Sequence, residues 1–174
     1  MTAAVFVDTN VFVYSCDSSE VLKQPVAAEW LRELWREDRG RTSMQVLNEY
    51  YVTVTRKLTA RLEEHVAWDY VRSLLAWEPQ EITGDVLLRA REIEQRHALN
   101  WWDSLIVAAA ALQGCQVLLT EDLQDGMAFG EVRVRNPFVT RVSDVTAAYP
   151  AEHAIARHRP RGRPRRSPQR ASTP

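Results

Sequence analysis

Four carboxylates stand at the ends of otherwise apolar stretches of this chain. Asp8 follows Val5-Phe6-Val7 within "VFVDTNVFVY", residues 5–14, and Glu49 lies between Val46-Leu47 and Tyr50-Tyr51-Val52. Asp103 opens "WWDSLIVAAA", and Asp122 follows "VLLT". Burying an unpaired carboxylate costs roughly several kcal/mol, so Asp8 needs something nearby to offset its charge. Carboxylates gathered in one place repel, and each raises its neighbours' pKa unless a cation intervenes. Mg²⁺ or Mn²⁺ is the fitting cation, being hard, oxygen-preferring and content with one or two carboxylates plus water and phosphate. Such a site activates water and stabilises the charge that builds on a phosphodiester during hydrolysis. No His, Cys or Ser nucleophile arrangement competes: His65, His97, His153 and His158 fall on helix flanks or near the C-terminus.

Each acid also has a plainer role open to it. Asp8 could be an Asx-turn or a cap after a strand, and Glu49 could face solvent. Asp103 is the residue that a capping box or a helix dipole selects in a first turn. Asp122 and Asp125 flank a turn ending in Gly126, where Asp is common for conformational reasons. That turn is not an EF-hand loop, because Leu123 and Gln124 break the spacing. Four acids at consistent element ends favour a shared site over four separate structural duties.

The elements that must position them follow from periodicity and punctuation. Residues 1–7 read as a strand, and Val11 to Tyr14 resume the apolar run. Pro25 to Asp38 reads as a helix with Trp30, Leu31, Leu34 and Trp35 on one face, ended by Gly40. A helix from about Gln45 to Lys57 follows, then one from Leu62 to Trp77 with Val66, Tyr70 and Leu74 at helical spacing. "QEIT", residues 80–83, reads as a short strand, and Asp85 to His97 as a helix. Asn100 is a good N-cap for the next helix and Gly114 its stop. "CQVLLT" is a second buried strand, "EDLQDG" a turn, and "EVRVRN" a last strand or edge. Strands alternating with helices predict an α/β fold with a central, mainly parallel sheet flanked by helices. In such sheets ligands bind beyond the carboxyl ends of the strands, which is where this reading puts Asp8 and Asp122.

At 174 residues, 45% hydrophobic and 26% charged, the chain has the balance of one soluble globular domain. Cys16 and Cys115 are too few for a disulfide framework or zinc site, which points to a reducing cytoplasm. The N-terminus has no basic flank of the signal-peptide kind. The longest apolar run, Leu105 to Leu112, falls well short of the roughly 18 residues of a membrane span. The net charge of −1 conceals an asymmetry: residues 1–156 carry all 23 acids and 15 of the 22 Lys and Arg. From Arg157 onward there are seven arginines and no acid. The expected division is a folded domain over 1–146 and a linker with a disordered, basic Arg/Pro-rich tail over 147–174.

Local strings add what spacing cannot. "VFVDTNVFVYSCD", "LNEYYVTVTRKL", "LNWWDSLIVAAAALQGC" and "LLTEDLQDGMAFGEVRVRNPF" resemble, in order, the four blocks of PIN-domain proteins, most of all the VapC toxins of bacterial toxin–antitoxin pairs. The resemblance covers roughly residues 3–142. It implies a PIN-like fold and a Mg²⁺- or Mn²⁺-dependent endoribonuclease with Asp8, Glu49, Asp103 and Asp122 as its catalytic, metal-binding quartet. It further implies that Asn10 and Thr120 support the acids and water through hydrogen bonds, and that Asp125 is a fifth acid near the metal. A homodimer held by a VapB-type antitoxin is the implied assembly. Trp30 and Trp35, with the Trp68/Tyr70/Trp77 helix, are candidates for partner contacts or for plain core packing.

"RPRGRPRRSP", residues 159–168, resembles the core of an AT-hook, whose arginines lie along the narrow minor groove of A·T-rich DNA. Arg161, Arg163, Arg165 and Arg166 would make those contacts, or serve a general polyanion-binding tail that raises RNA affinity in a salt-dependent way. Other function classes remain beside the nuclease. A non-catalytic PIN-type module would bind nucleic acid or a partner without cutting. A haloacid-dehalogenase-like phosphatase would want Asp where Asn10 stands. A phosphoacceptor receiver domain would want an early pair of adjacent acids and a lysine after a late strand.

Overall fold

The computed structural model describes residues 3–140 and 144; the Arg-rich tail expected over 147–174 lies outside them. A five-stranded sheet runs in the order β2-β1-β3-β5-β4. Its strands are β1 (Val5–Val7), β2 (Gly40–Arg41), β3 (Val117–Leu119), β4 (Ala128–Phe129) and β5 (Val132–Arg135). All neighbours are parallel except β4 with β5, so the expected mainly parallel sheet is present. Every residue of β1 and β3 is fully buried, as strands covered on both faces must be. Among the described residues six α-helices flank the sheet: α1 (Thr9–Cys16), α2 (Lys23–Arg36), α3 (Met44–Val52), α4 (Glu64–Leu74), α5 (Gly84–His97) and α6 (Trp101–Leu112). Among the described residues no helix is long and apolar enough to cross a membrane.

Helix starts obey the expected chemistry. The side chains of Ser43, Thr83 and Asn100 accept from the third backbone N–H beyond them, capping α3, α5 and α6. Gly114, at φ 66°, follows α6 as its left-handed stop. α3 widens into one π-helical turn over Thr53–Lys57, where Thr55 Oγ1 donates to the Tyr51 carbonyl at 2.6 Å. Behind the sheet edge an aromatic group packs around Phe12, with ring centroids 6.3 Å from Tyr50, 6.3 Å from Tyr70 and 5.8 Å from Trp77. Trp77 also explains a glycine. A Cβ on Gly40 would lie 2.3 Å from its indole ring, so β2 can pass only without one.

Several expectations are corrected here. The apolar run after Asp8, to which its pattern gives no element type, forms α1, which starts one residue beyond it. Gly40 does not end α2; it opens β2, and the chain turns before it at Asp38, φ 53°. "QEIT" makes a single parallel bridge, Gln80 to Ser43, rather than a strand. On α4 the core face is Ala67, Val71 and Leu74, while Val66 is exposed. Trp30 and Trp77 are core residues, each 2% exposed, whereas Trp68 is 52% exposed.

Candidate active site

The register of two neighbouring strands builds the centre of the site. β1 and β3 run parallel with Val7 opposite Leu119, so the next residues, Asp8 and Thr120, leave the sheet side by side. The Asp8 N–H continues the ladder to the Leu119 carbonyl at 3.1 Å. Thr120 Oγ1 then donates to Asp8 Oδ2 at 2.7 Å, and Thr9 N–H donates to Asp8 Oδ1 at 2.6 Å. Asp8 is thereby also the N-cap of α1, where the helix dipole favours a negative charge. Two residues further along each strand end come Asn10 and Asp122. Asn10 Nδ2 donates to Asp122 Oδ2 at 3.1 Å, to Thr120 Oγ1 at 3.0 Å and to Asp8 Oδ2 at 3.3 Å. Thr120 Oγ1 accepts in turn from the Asp122 N–H at 3.1 Å. One threonine and one asparagine thus tie two carboxylates into a single network.

The other two acids reach the same edge from helices. Glu49, half-buried on α3, accepts from Thr9 Oγ1 and from Gln45 Nε2, each at 2.9 Å. Asp103, in the first turn of α6, exchanges bonds with its cap: its N–H donates to Asn100 Oδ1 at 2.9 Å, and Asn100 Nδ2 donates to its Oδ2 at 2.6 Å. Burial pushes the Asp8 carboxyl up to about 7; Asp122 and Glu49 push the same way, against the bonds from Thr120 and Thr9. Burial and then the charges of Asp122 and Glu49 also raise Asp103, against the bond from Asn100. The four acids therefore share one electrostatic neighbourhood. It is not a closed cage: among the described residues no three His, Cys, Asp or Glu side chains form a ready-made metal site.

Asp125 stands apart from this network. Its Oδ1 accepts from the Asn136 N–H at 2.8 Å and Thr140 Oγ1 at 3.4 Å, fastening the turn to the segment after β5. Five residues at the site escaped the sequence reading. Thr9 and Gln45 hold Glu49; Gln45 sits one helical turn before it, a spacing that could have suggested the pair. Glu121, next to Asp122, accepts from Lys23 Nζ at 2.7 and 3.0 Å and from the Tyr14 hydroxyl. Lys23 lies 4.2 Å above the Tyr14 ring, completing a clamp across α1, α2 and the end of β3. No local signal joins residues that far apart in the chain.

Comparison with known proteins agrees with this architecture. The family model of the PIN domain matches residues 5–127. The solved toxin-antitoxin complex from Klebsiella pneumoniae contains a chain similar to this one at 20% identity and a TM-score of 0.57, covering 78% of this chain and 98% of that one. VapC20 of Mycobacterium tuberculosis, described as a Sarcin-Ricin loop cleaving toxin, aligns at 21% identity and a TM-score of 0.48 over 75% of this chain and 99% of its own. Among curated proteins none matches. The matched family span begins at β1 and ends beyond Asp122, so it takes in all four acids and every residue found to hold them: the chain belongs to the PIN-domain family.

Proposed function

We propose that this chain is a divalent-metal-dependent endoribonuclease of the cytoplasm, acting as the toxin of a toxin–antitoxin pair. The observation that carries the reading is Asp8, a carboxylate 7% exposed at the end of a parallel strand, with Asp122 and Glu49 as like-charged neighbours. A cation is what such an arrangement lacks. The donors fit Mg²⁺ or Mn²⁺, since all are oxygens and no thiol or imidazole intrudes. Asn10 Oδ1 is buried without a hydrogen-bond partner among the described residues, an acceptor suited to a metal-bound water. Asp8, Asp103 and Asp122, with Glu49, would hold the ion. When bound, it supplies an activated water and neutralises charge on the phosphate.

The chain's own residues do the positioning. Thr120 and Asn10 orient Asp8 and Asp122, Thr9 and Gln45 fix Glu49, and Asn100 fixes Asp103. The toxin assignment rests on the four motif blocks and is supported by the neighbour from a toxin-antitoxin complex; an antitoxin and a second copy of the chain are the partners it implies. The test is cleavage of total RNA by purified, partner-free protein with Mg²⁺ or Mn²⁺, beside EDTA and Asp8→Asn controls. Discrete fragments that need both metal and Asp8 are expected. No cleavage by the folded protein with either metal would overturn the enzyme and leave a binding module.

A further inference from the structure

Beside the acids lies an open cavity of about 620 Å³. Thr9 and Glu49 form its inner end, so it is continuous with the candidate active site; Asn48, Lys57 and Trp102, with the apolar Val52 and Ile82, are among the residues that line the rest. Trp102 is 63% exposed, in contrast to the buried Trp30 and Trp77. It immediately precedes Asp103 in α6, and its carbonyl accepts from Gln45 Nε2 at 3.4 Å, which ties this turn to α3. An indole left in water beside a charged cluster is poorly explained by packing. Lys57 is exposed and forms no ion pair among the described residues. Asn48 holds its amide nitrogen on the Met44 carbonyl at 2.7 Å, which presents its side-chain oxygen as an acceptor.

A flat aromatic surface, an unpaired cation and an amide around one groove match a single-stranded nucleotide better than an apolar partner. Unpaired RNA bases are gripped by stacking on aromatic rings, while cations track the backbone. We infer that this cavity is a nucleotide subsite: Trp102 stacks an unpaired base next to the scissile phosphate, Lys57 contacts a backbone phosphate, and Asn48 meets the base edge. The inference rests on the nuclease reading and names where that nuclease holds its strand. Because Trp102 lines the same cavity as Thr9 and Glu49, the stacked base and the reacting phosphate belong to neighbouring positions of one strand. The subsite therefore sets which base flanks the cut.

The test uses the full chain carrying Asp8→Asn, so that RNA is bound but not cut, with Mg²⁺ present. The probes are short single-stranded RNAs with 2-aminopurine replacing one base at successive positions. Fluorescence quenching is expected at one position and is expected to vanish with Trp102→Ala, while Trp102→Phe keeps it. Trp102→Ala should weaken binding roughly 5- to 150-fold, the range for losing one base–aromatic stack. Lys57→Ala should weaken binding to all sequences alike and lower the salt slope by about one. Unchanged affinity and quenching in Trp102→Ala, within a protein that does bind RNA, would overturn the subsite and leave the nuclease standing. A protein that binds no RNA with either residue would overturn both. RNA affinity unchanged by Trp102→Ala while light scattering shows a dimer becoming a monomer would assign the face to a second copy and overturn the subsite.

Discussion

Glu121 and Asp122 are adjacent in the chain and have opposite surroundings. Glu121 is neutralised: Lys23 bonds both of its oxygens, Tyr14 donates to one of them, and Glu121 holds the Lys23 ammonium above its usual pKa. Asp122 is exposed and, among the described residues, is held by the amide of Asn10 beside Asp8 and Asp103, which carry its own sign. One peptide bond thus separates a carboxylate whose charge is answered within the protein from one whose charge is not. The first kind holds a fold together. The second kind lies open at the sheet edge, where a ligand from outside can complete it and relieve the charge that it places beside the buried Asp8.

The largest effect should fall on the unanswered side. Asp8→Asn keeps one acceptor oxygen, enough for the Thr9 N–H that caps α1, gives up the bond that Thr120 donates to the other oxygen, and removes the charge that would hold a metal. Metal stabilisation of a phosphoryl transition state is worth several kcal/mol, so cleavage should drop on the order of a thousandfold or more. Circular dichroism should show an unchanged fold; cleavage at the wild-type rate would place the chemistry elsewhere.

The same substitution should act in the reverse direction on stability. In EDTA the folded Asp8 carboxyl sits at about 7 against 3.8 for the free group, so the folded state keeps a proton that the unfolded state has released. Folded proton binding exceeds unfolded between those values, and stability falls as pH rises through that window. The total is at most about 4 kcal/mol, from the shift and 1.36 kcal/mol per unit. Asp8→Asn should lack this loss. Urea titrations of both proteins at pH 4 and pH 7, metal-free, should show wild type losing ground relative to the variant. Parallel curves would mean that Asp8 is answered inside the protein after all.

What the sequence disclosed follows the same division. The four acids were legible because each interrupts or closes an apolar segment, and Asn100 because capping is local. The clamp of Lys23, Tyr14 and Glu121 was not, since its members are joined only by the fold. Helix α1 hid for another reason: Val11, Phe12 and Val13 are buried in succession, so no polar face marks the helical period and the run shows no element type. β2 and β4 have two residues each, too few for any alternation to show. The β1–β3 register, which brings Thr120 to Asp8, is a pairing that no single segment encodes.

Thr120 sharpens the comparison because it serves the unanswered side without carrying charge. Its hydroxyl donates to Asp8 and accepts from Asn10 and the Asp122 N–H, so Thr120→Val leaves three groups short of a partner. Losing a residue that orients metal ligands typically costs about 10- to 100-fold in metal affinity or activity. The Mn²⁺ concentration giving half-maximal cleavage should rise by that factor, with Thr120→Ser restoring most of it. An unchanged metal requirement would show that Asp8 and Asp122 keep their places by themselves.

The smallest effect should come from the answered acid. Glu121→Gln retains an acceptor for Tyr14 but gives up the charge facing Lys23, whose side chain is 32% exposed and can turn to solvent. An ion pair so open to water is worth about 1 kcal/mol or less, so a lower Tm and at most a few-fold change in kcat are expected. Asp122→Asn, one residue away, should do the opposite: cleavage falls sharply while metal-free Tm holds or rises, because a repelling charge is gone. Measuring both variants by thermal melting in EDTA and by cleavage in Mn²⁺ gives a crossed pattern if the two carboxylates divide the work as described. If Glu121→Gln also removed cleavage with its melting unchanged, Lys23 would have to be counted among the groups that face the RNA.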